Sequence, residues 1–315
     1  MYYRLALSAF LLGVLIYIVS RSINSDQLWF LIFRFPKKQL LILCLISSLV
    51  TVLKAWRFLT LLLTSDIEIS FWEALRIYAA GGAITPIPGG EAVRGILIKK
   101  ETGTKISYTV GPIISQAYLE IISAAILTLI GSLIFRVLRI PATIILILLL
   151  GLAFILSRQD IFNFIFEHLK KFKSLKKKLM PAQKHIEQLI FDEQKNLVKV
   201  FLVSIITHLI GGLLIVIISN AYNIEINFLE SFFIYSASII IQGLSISPGG
   251  IGFTEGGIIG LLLIFKVNFH QALAITLIFR AVTLFFYILV GILFLVIFYG
   301  KAIIFKRHFF EGAKS

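Results

Sequence analysis

The sequence predicts an all-α, polytopic integral membrane protein. We expect a helical bundle of about six full spans plus two broken or re-entrant helical elements related as pseudo-repeats. First, the 315-residue chain is 58% hydrophobic and only 15% charged, far less charge than the surface of a soluble domain carries. Second, several apolar stretches exceed the roughly 18 residues that mark a bilayer-spanning helix. Third, the tripeptide Pro-Gly-Gly interrupts two further apolar regions.

Six stretches are long and apolar enough to cross a bilayer. They are Tyr3–Ser20, Gln39–Leu63, Ser107–Phe135, Ile140–Ser157, Leu197–Ile218 and Ala272–Tyr299. The first stretch also has the apolar core of a signal peptide. Because Val19–Ser22 offers no small-x-small cleavage site, we interpret this stretch as an uncleaved span.

Two further apolar regions, Phe71–Lys100 and Phe228–Phe265, are broken in the middle. The break motifs are Pro88, Gly89, Gly90 and Pro248, Gly249, Gly250. The segment Glu91–Glu101 would be a helix roughly 16 Å long, too short for a hydrocarbon core of about 30 Å. A break at membrane depth exposes backbone groups that lipid cannot satisfy, so it must lie against protein or water. Matched breaks in two halves are typical of transport sites.

We predict a single transmembrane domain, 1–315, with pseudo-repeat halves at about 39–157 and 197–299. A basic insert, 158–199, separates them. The net charge of +14 indicates loops that contact anionic headgroups rather than nucleic acid. The insert is either an amphipathic helix on the cytoplasmic leaflet or a solvated basic loop. The basic tail after Tyr299 then places both termini on the cytoplasmic side of the cell membrane. The basic loop near Arg34 favours the opposite side for the N-terminus.

Two charged residues directly follow the first break. Glu91 and Arg94 are three residues apart and therefore lie on one helix face. The half-helix that they begin has free backbone N–H groups and the positive end of a helix dipole. Together with an arginine, such an end suits a phosphate or another anionic headgroup. The alternative is that Glu91 caps the helix and Arg94 snorkels to the interface.

Glycines repeat every four residues after the second break, at Gly252, Gly256 and Gly260. This stripe predicts that another helix approaches closely. Glu255 borders the stripe and should therefore face protein. Because an ionisable group at that depth is costly without a partner, Glu255 is a functional candidate.

Polar residues form a stripe on each of two long helices. Gln116, Glu120 and Ser123 share one face of the first, and Arg280, Thr283 and Tyr287 share one face of the second. Polar stripes on apolar helices face the bundle interior. The pattern is compatible with the lining of a passage and with mutual salt bridges.

Other polar residues have simpler interpretations. Lys54, Trp56 and Arg57 are predicted to be interfacial anchors, and His208 to be a satisfied buried histidine. The chain has no Walker motif, no Gly-x-Gly-x-x-Gly, no His-Glu-x-x-His and no cysteine cluster. We therefore expect no cofactor, no metal site and no catalytic residues.

The break motifs resemble those of a known family, the lysylphosphatidylglycerol synthase transmembrane family, whose members are also called flippase-like or UPF0104 proteins. The resemblance is carried by Pro88-Gly-Gly-Glu-Ala-Val-Arg94, by Trp56-Arg57, by Pro248-Gly-Gly-Ile-Gly-Phe-Thr-Glu255 and by Arg280, and it runs from about Gln39 to Tyr299. It implies a polytopic protein whose relatives move aminoacylated phospholipid between leaflets or belong to polyprenyl-lipid or hopanoid pathways. It also implies roles for Glu91, Arg94, Glu255 and Arg280.

The chain departs from the family in two respects. Where the family commonly has a Glu-Arg-x-x-Asp-like pattern, this chain reads Gln116-Ala117-Tyr-Leu-Glu120. The bifunctional synthases also add a large soluble domain that transfers lysine from aminoacyl-tRNA, and the polar insert here is too small for one. The resemblance therefore implies that this chain is not a complete synthase.

The leading hypothesis is a flippase-like translocase of a phospholipid or another lipid-linked headgroup. Its partners would be membrane lipids: an anionic or aminoacylated phospholipid, or a polyprenyl-linked lipid. The alternative is an accessory subunit or a transferase in polyprenyl-phosphate or lipid-linked glycan metabolism. A small-solute or ion transporter would use the same broken helices.

Overall fold

A computed structural model describes residues 25–85, 90–168, 173–245 and 247–300. The predicted first span, Tyr3–Ser20, lies outside the described residues, as do Pro88 and Gly89 of the first break. The described chain forms twelve α-helices and no strands. They are α1 (Ser25–Phe33), α2 (Lys37–Leu63), α3 (Phe71–Gly82), α4 (Ala92–Thr102), α5 (Ile106–Phe135), α6 (Arg139–Ser157), α7 (Gln159–His168), α8 (Lys173–Phe191), α9 (Gln194–Ala221), α10 (Phe228–Leu244), α11 (Phe253–Ile264) and α12 (Phe269–Tyr299).

Five of these helices are long and apolar enough to cross a membrane: α2, α5, α6, α9 and α12. They coincide with five of the six predicted spans, so the prediction of a polytopic helical bundle is confirmed. The short helix α1 was not predicted from the sequence. Leu28 of α1 is buried against Leu273 and Ala274, in the first turns of α12.

The two broken elements begin in the same way. Ser70 and Glu73 form a capping box at the start of α3, and Asn227 and Glu230 form one at the start of α10. In each box a side chain accepts from the N3 backbone N–H and the N3 glutamate accepts from the cap backbone. At 1.5 Å per residue, α3, α4 and α11 are all shorter than about 20 Å, so none of them crosses a bilayer core alone.

The first broken element contacts the last turns of α12. The Arg76 guanidinium of α3 lies 5.3 Å from the Phe298 ring centroid, and Lys100 Nζ of α4 lies 4.9 Å from the Tyr299 ring centroid. Arg76 lies midway along α3, but Ile67, just before α3, is buried in the same cluster as Tyr299. Lys100 is near the end of α4. The outer ends of both half-helices therefore lie at the same end of the bundle.

The second broken element returns to the opposite end. Phe233, near the start of α10, and Phe265, directly after α11, both contact Phe135 at the end of α5, with ring centroids 5.6 and 5.1 Å away. Ile226 and Val267, which flank the element, are buried in the same cluster. Val267 immediately precedes α12. The two broken elements therefore contact opposite ends of α12.

The basic insert folds into α7 and α8 and packs on the bundle. Four residues of α8 are buried at helical spacing against α5, α6 and their neighbours: Ala182, His185, Ile186 and Leu189. At Gly111 of α5, an added Cβ would lie only 2.9 Å from His185 Cβ, so this glycine allows α8 to approach. The solvated-loop interpretation was wrong, because the apolar face of α8 packs against α5 and α6. Residues 169–172 of the insert lie outside the described residues.

The glycine stripe on α11 has no packing partner in the described chain. A Cβ added at Gly252, Gly256 or Gly260 would meet nothing within 4 Å. The described residues therefore do not supply the close helix contact expected there. The close approach is at Gly257, where an added Cβ would lie 2.5 Å from Ile241 Cδ1, because the break folds α11 back on α10.

Candidate functional site

A cavity of about 390 Å³ lies where the two breaks face α2, α5 and α12. Six residues that the sequence singled out line it together: Glu91, Arg94, Glu120, Arg280, Thr283 and Tyr287. The wall also contains polar residues from both broken elements: Tyr78, Thr85, Tyr235, Ser238, Gln242 and Thr254. A charged cavity inside an apolar bundle is the expected surrounding of intramembrane ionisable residues.

Two predicted site residues are not on the cavity wall. Glu255 lies directly behind Arg280, and its contribution is indirect. Gln116 is buried, and the wall at this turn of α5 is formed by Ala117, one residue further along the helix. Gln116 Oε1 has no hydrogen-bond partner in the described part of the chain.

Arg94 lies at the first break and is 3% exposed. Its Nη2 donates to the Tyr287 hydroxyl at 3.1 Å, and its guanidinium lies 4.2 Å from the Tyr78 ring centroid. Nη1 is 3.4 Å from Glu91 Oε1, and Glu91 is 46% exposed. The snorkelling alternative was wrong for Arg94, because aromatic rings enclose it. Glu91 makes no capping hydrogen bond at the start of α4, so the capping alternative was wrong as well.

Two adjacent glycines make room for this arrangement. A Cβ at Gly81 would lie 2.6 Å from Arg94 Cγ, and one at Gly82 would lie 2.7 Å from Tyr287 Cζ. The Tyr287 hydroxyl in turn donates to the Tyr78 carbonyl oxygen at 3.0 Å. The last turn of α3 is therefore shaped to hold both side chains at the cavity wall.

Arg280 lies at the second break. Its Nε donates to Glu255 Oε1 at 2.5 Å, and its Nη2 donates to the Gly249 carbonyl oxygen at 3.0 Å. Gln242 donates to the same carbonyl at 3.2 Å. The break thus uses an arginine and an amide to satisfy a backbone oxygen that lipid could not satisfy.

The start of α11 is already occupied by a carboxylate. Glu255 Oε2 accepts from the Gly252 backbone N–H at 2.6 Å. At the start of α4 the backbone N–H groups of Val93 and Arg94 also have partners, the carbonyl oxygens of Gly90 and Glu91 at 3.1 Å. The expectation of free N–H groups was therefore wrong for these two residues. Arg280 is also followed by a π-helical segment, Ala281–Phe285, a local widening that is frequent at functional sites.

Glu120 is held by two cations of α2. Lys54 Nζ lies 2.5 Å from Glu120 Oε1, and Arg57 Nη2 lies 2.7 Å from Glu120 Oε2. Arg57 is fully buried and also donates to Ser204 Oγ at 2.8 Å. The interfacial-anchor interpretation was wrong for Lys54 and Arg57, since both side chains turn inward to the partly buried carboxylate of Glu120.

His208 is a fully buried histidine beside this charge cluster. Its Nε2 lies 2.9 Å from Ser123 Oγ and 3.1 Å from the Glu120 carbonyl oxygen. Because a carbonyl only accepts, Nε2 carries the proton in this arrangement. The sequence-based interpretation of a buried, partnered histidine is confirmed for Nε2.

The charges around the cavity do not cancel. Four cations, Lys54, Arg57, Arg94 and Arg280, stand against three carboxylates, Glu91, Glu120 and Glu255. Arg94 has the weakest ion pair of the four, and its Nε has no hydrogen-bond partner among the described residues. The described site therefore carries an excess of one positive charge.

A smaller cavity of about 110 Å³ adjoins the first. Five residues line both cavities and therefore form the boundary between them: Lys54, Tyr78, Tyr235, Thr283 and Tyr287. On its far side the smaller cavity is lined by residues of α2 and α9, among them Ser47, Thr51 and Gly211. Sequence reasoning missed Tyr78 and Tyr235. A signal was available: each is the eighth residue of the helix that its capping box begins.

Comparison with known proteins agrees with this architecture. The sequence profile of the family described as lysylphosphatidylglycerol synthase TM region matches residues 2–291. The chain belongs to this family. The matched profile describes the transmembrane region of these synthases.

A curated relative supports the assignment to the lysylphosphatidylglycerol synthase transmembrane family. A UPF0104 membrane protein of Methanocaldococcus jannaschii is 25% identical over 213 residues, which cover 66% of this chain and 90% of the relative. The resemblance drawn from the two break motifs is therefore confirmed, and the chain is a multi-pass membrane protein.

Proposed function

We propose that the protein translocates the phosphate-bearing headgroup of a lipid between leaflets. The observation that supports this proposal is the charged cavity of about 390 Å³, which lies between the two broken elements and is lined by Arg94, Arg280 and Lys54. Desolvating the headgroup charge is the main barrier to its crossing. Fixed charges inside the bundle lower that barrier while the acyl chains stay in lipid.

The two broken elements are, in this proposal, re-entrant hairpins that begin at opposite membrane surfaces. Their lengths support this, because none of α3, α4 and α11 crosses a bilayer core alone. Their contacts support it too: Lys100 packs on Tyr299 at the end of α12, whereas Val267 precedes its start. Such an arrangement places the two breaks at a common depth around one site.

An anionic group suits the cavity better than a cationic one. The described site has an excess of one positive charge, and two of its carboxylates are already engaged: Glu120 by Lys54 and Arg57, and Glu255 by Arg280. Arg94 has unused donor capacity, and a guanidinium matches the geometry of phosphate oxygens. The exposed Glu91 is the carboxylate placed to meet an amine of a zwitterionic headgroup.

In this proposal, the two adjoining cavities together form the route of the headgroup. A headgroup that leaves the larger cavity meets Tyr78, Tyr235 and Tyr287, whose rings and hydroxyls separate it from the smaller one. Movement past them requires α3, α10 and α12 to shift relative to one another. The described residues thus correspond to a state in which the route is narrowed at its middle.

Reconstitution tests the proposal. Liposomes containing the purified protein and a headgroup-labelled phospholipid are exposed to an impermeant quencher, and the rate at which inner-leaflet label becomes accessible is measured. We expect Arg94→Ala and Glu255→Ala to slow this rate about tenfold or more, the effect of losing a charge-assisted contact. Arg139→Ala, at the exposed start of α6, is the matched control and should leave the rate unchanged.

Two results would contradict translocation. One is a rate equal in protein-containing and protein-free liposomes. The other is equal slowing by Arg94→Ala and by the control Arg139→Ala. Transfer of a sugar to a lipid acceptor by the purified chain would support the transferase alternative instead.

A further inference from the structure

A third cavity, apolar and of about 340 Å³, lies between α5, α6, α8 and α9. Its wall includes Leu119, Ile122, Ala153, Ile186, Leu189 and Phe201. Ala117, Glu120 and Ile121 of α5 face the charged cavity, so α5 separates the two. The apolar cavity has no part in the route proposed above.

The few polar atoms on its wall are already satisfied. Ser115 Oγ is hydrogen-bonded to His185 Nδ1 at 2.8 Å, and the Tyr118 hydroxyl donates to the Leu149 carbonyl oxygen at 2.5 Å. A ligand therefore meets hydrocarbon throughout. Because a polar group placed there would lose its hydrogen bonds to water, the cavity selects an apolar ligand.

The cavity opens toward lipid. Val198 and Leu202 belong to its wall and are 56% and 53% exposed on the outer face of α9. The helix α9 is a candidate membrane span, so this face meets acyl chains in the bilayer. A chain can enter from the side without passing through the protein.

Two lysines lie on the same face, toward the end of α9 that carries the basic insert. Lys195, Val198, Lys199 and Leu202 follow the spacing i, i+3, i+4, i+7 and are all exposed. The start of α9 lies at the membrane surface because the polar insert precedes it. The ammonium groups are therefore at headgroup depth, directly beside the apolar opening.

We propose that this cavity holds one acyl chain of an anionic phospholipid, whose headgroup phosphate contacts Lys195 and Lys199. The positive charge of the two lysines favours an anionic headgroup. The apolar wall, whose polar atoms are already hydrogen-bonded, favours an acyl chain. The bound chain lies against Ile186 and Leu189 of α8 and so joins the insert to the bundle. The site is independent of the translocation proposal.

Native mass spectrometry of the purified chain tests this site. The protein is mixed with phosphatidylglycerol or with phosphatidylcholine of the same acyl chains, and retained lipids are counted. We expect phosphatidylglycerol to be retained at least tenfold more strongly. Ala153→Phe fills the cavity and should abolish that retention, whereas Leu152→Phe, on the adjacent exposed position of α6, should not.

Two double variants test the role of Lys195 and Lys199. The double change Lys195→Gln and Lys199→Gln should remove the preference for phosphatidylglycerol, whereas Lys37→Gln and Lys38→Gln, at the exposed start of α2, should preserve it. Equal retention of the two lipids by the unaltered chain would overturn the proposal. Undiminished retention by a folded Ala153→Phe variant would also overturn it.

A measurement on the unaltered protein avoids dependence on variant folding. A phosphatidylglycerol with a photoactivatable group near the chain terminus is crosslinked and its attachment site is mapped. We expect attachment within residues 115–122, 186–190 or 197–202. Attachment only to other lipid-exposed helices, such as the outer face of α2, would contradict the site.

Discussion

At the scale of single residues, buried charges define this molecule. Arg57 is fully buried in the bundle, where Ser204 accepts from its Nη1 and Glu120 from its Nη2. Its Nε has no hydrogen-bond partner among the described residues. Removing one partner from such a pair leaves an uncompensated charge, which is costlier than replacing both. We therefore expect the charge cluster of Lys54, Arg57 and Glu120 to stabilise the fold, and this effect can be measured separately from transport.

The variant Glu120→Gln tests that effect. It leaves Lys54 and Arg57 without a counter-charge, and we expect a destabilisation of about 3–5 kcal/mol, read as a lower thermal midpoint in detergent. Glu91→Gln is the control, because Glu91 is exposed and its ion pair is long; its effect should stay within about 0.5 kcal/mol. Equal thermal midpoints for the two variants would show that the charge cluster does not stabilise the fold.

Gly81 tests the packing around Arg94. A Cβ there overlaps the Arg94 side chain, so Gly81→Ala should displace the guanidinium from Tyr287 and slow headgroup translocation, with a destabilisation of about 1–3 kcal/mol. Gly256→Ala is the matched change where an added Cβ meets no described atom within 4 Å, and it should alter neither. Translocation at the unaltered rate in the Gly81→Ala variant would contradict the role given to Arg94.

At the scale of elements, one histidine hydrogen-bonds α8 to two other helices. His185 Nδ1 meets Ser115 Oγ at 2.8 Å, and Nε2 meets Thr64 Oγ1 at 3.0 Å and the Leu61 carbonyl oxygen at 3.1 Å. These contacts join the insert helix to α2 and α5. Burial lowers the pKa of His185 to about 4 from its ordinary value of 6.5.

The docking of α8 should therefore weaken in acid. Between pH 6.5 and about 4 the undocked histidine binds a proton that the docked one does not, so stability falls as the pH falls through this window. The full difference is about 3 kcal/mol. Amide hydrogen exchange in α8 should accelerate at pH 4.5 relative to pH 7 after correction for intrinsic rates. Acceleration should be absent in His185→Gln and retained in His270→Gln; an unchanged corrected rate in the unaltered chain would contradict it.

At the scale of the whole molecule, opposite placement of the two broken elements predicts the topology. If both are re-entrant, the loop at Lys266 and the insert at Lys184 lie on opposite sides of the membrane. The single cysteine, Cys44, is first replaced by serine. Lys184→Cys and Lys266→Cys are then labelled separately with an impermeant maleimide.

In intact cells we expect label at Lys266→Cys and protection at Lys184→Cys, and the reverse in inverted vesicles. Both lysines are exposed in the structure, so protection reports the membrane rather than burial. Labelling of both positions from the same side would contradict the re-entrant arrangement, because the second broken element would then cross.

Local signals in the sequence predicted most elements and few of their contacts. Apolar length alone located five spans, since a membrane imposes a minimum helix length. The Pro-Gly-Gly motifs indicated that each broken element is interrupted, between α3 and α4 and between α10 and α11. Glu91, Arg94, Glu120 and Arg280 followed from charge in apolar surroundings. Lys54 and Arg57 were misassigned, because a cation near a helix end has the same local pattern whether it faces headgroups or a glutamate inside the bundle.

The sequence by itself determined the membrane class, the family, the helix breaks and the charged residues beside them, because these depend on composition and on short-range backbone chemistry. Only the tertiary structure decided that both breaks border one cavity, that α8 packs on the bundle and that the glycine stripe of α11 has no partner in the described chain. It also decided which carboxylate each buried cation meets. Those outcomes depend on which faces of distant helices meet, and helical periodicity leaves that choice open.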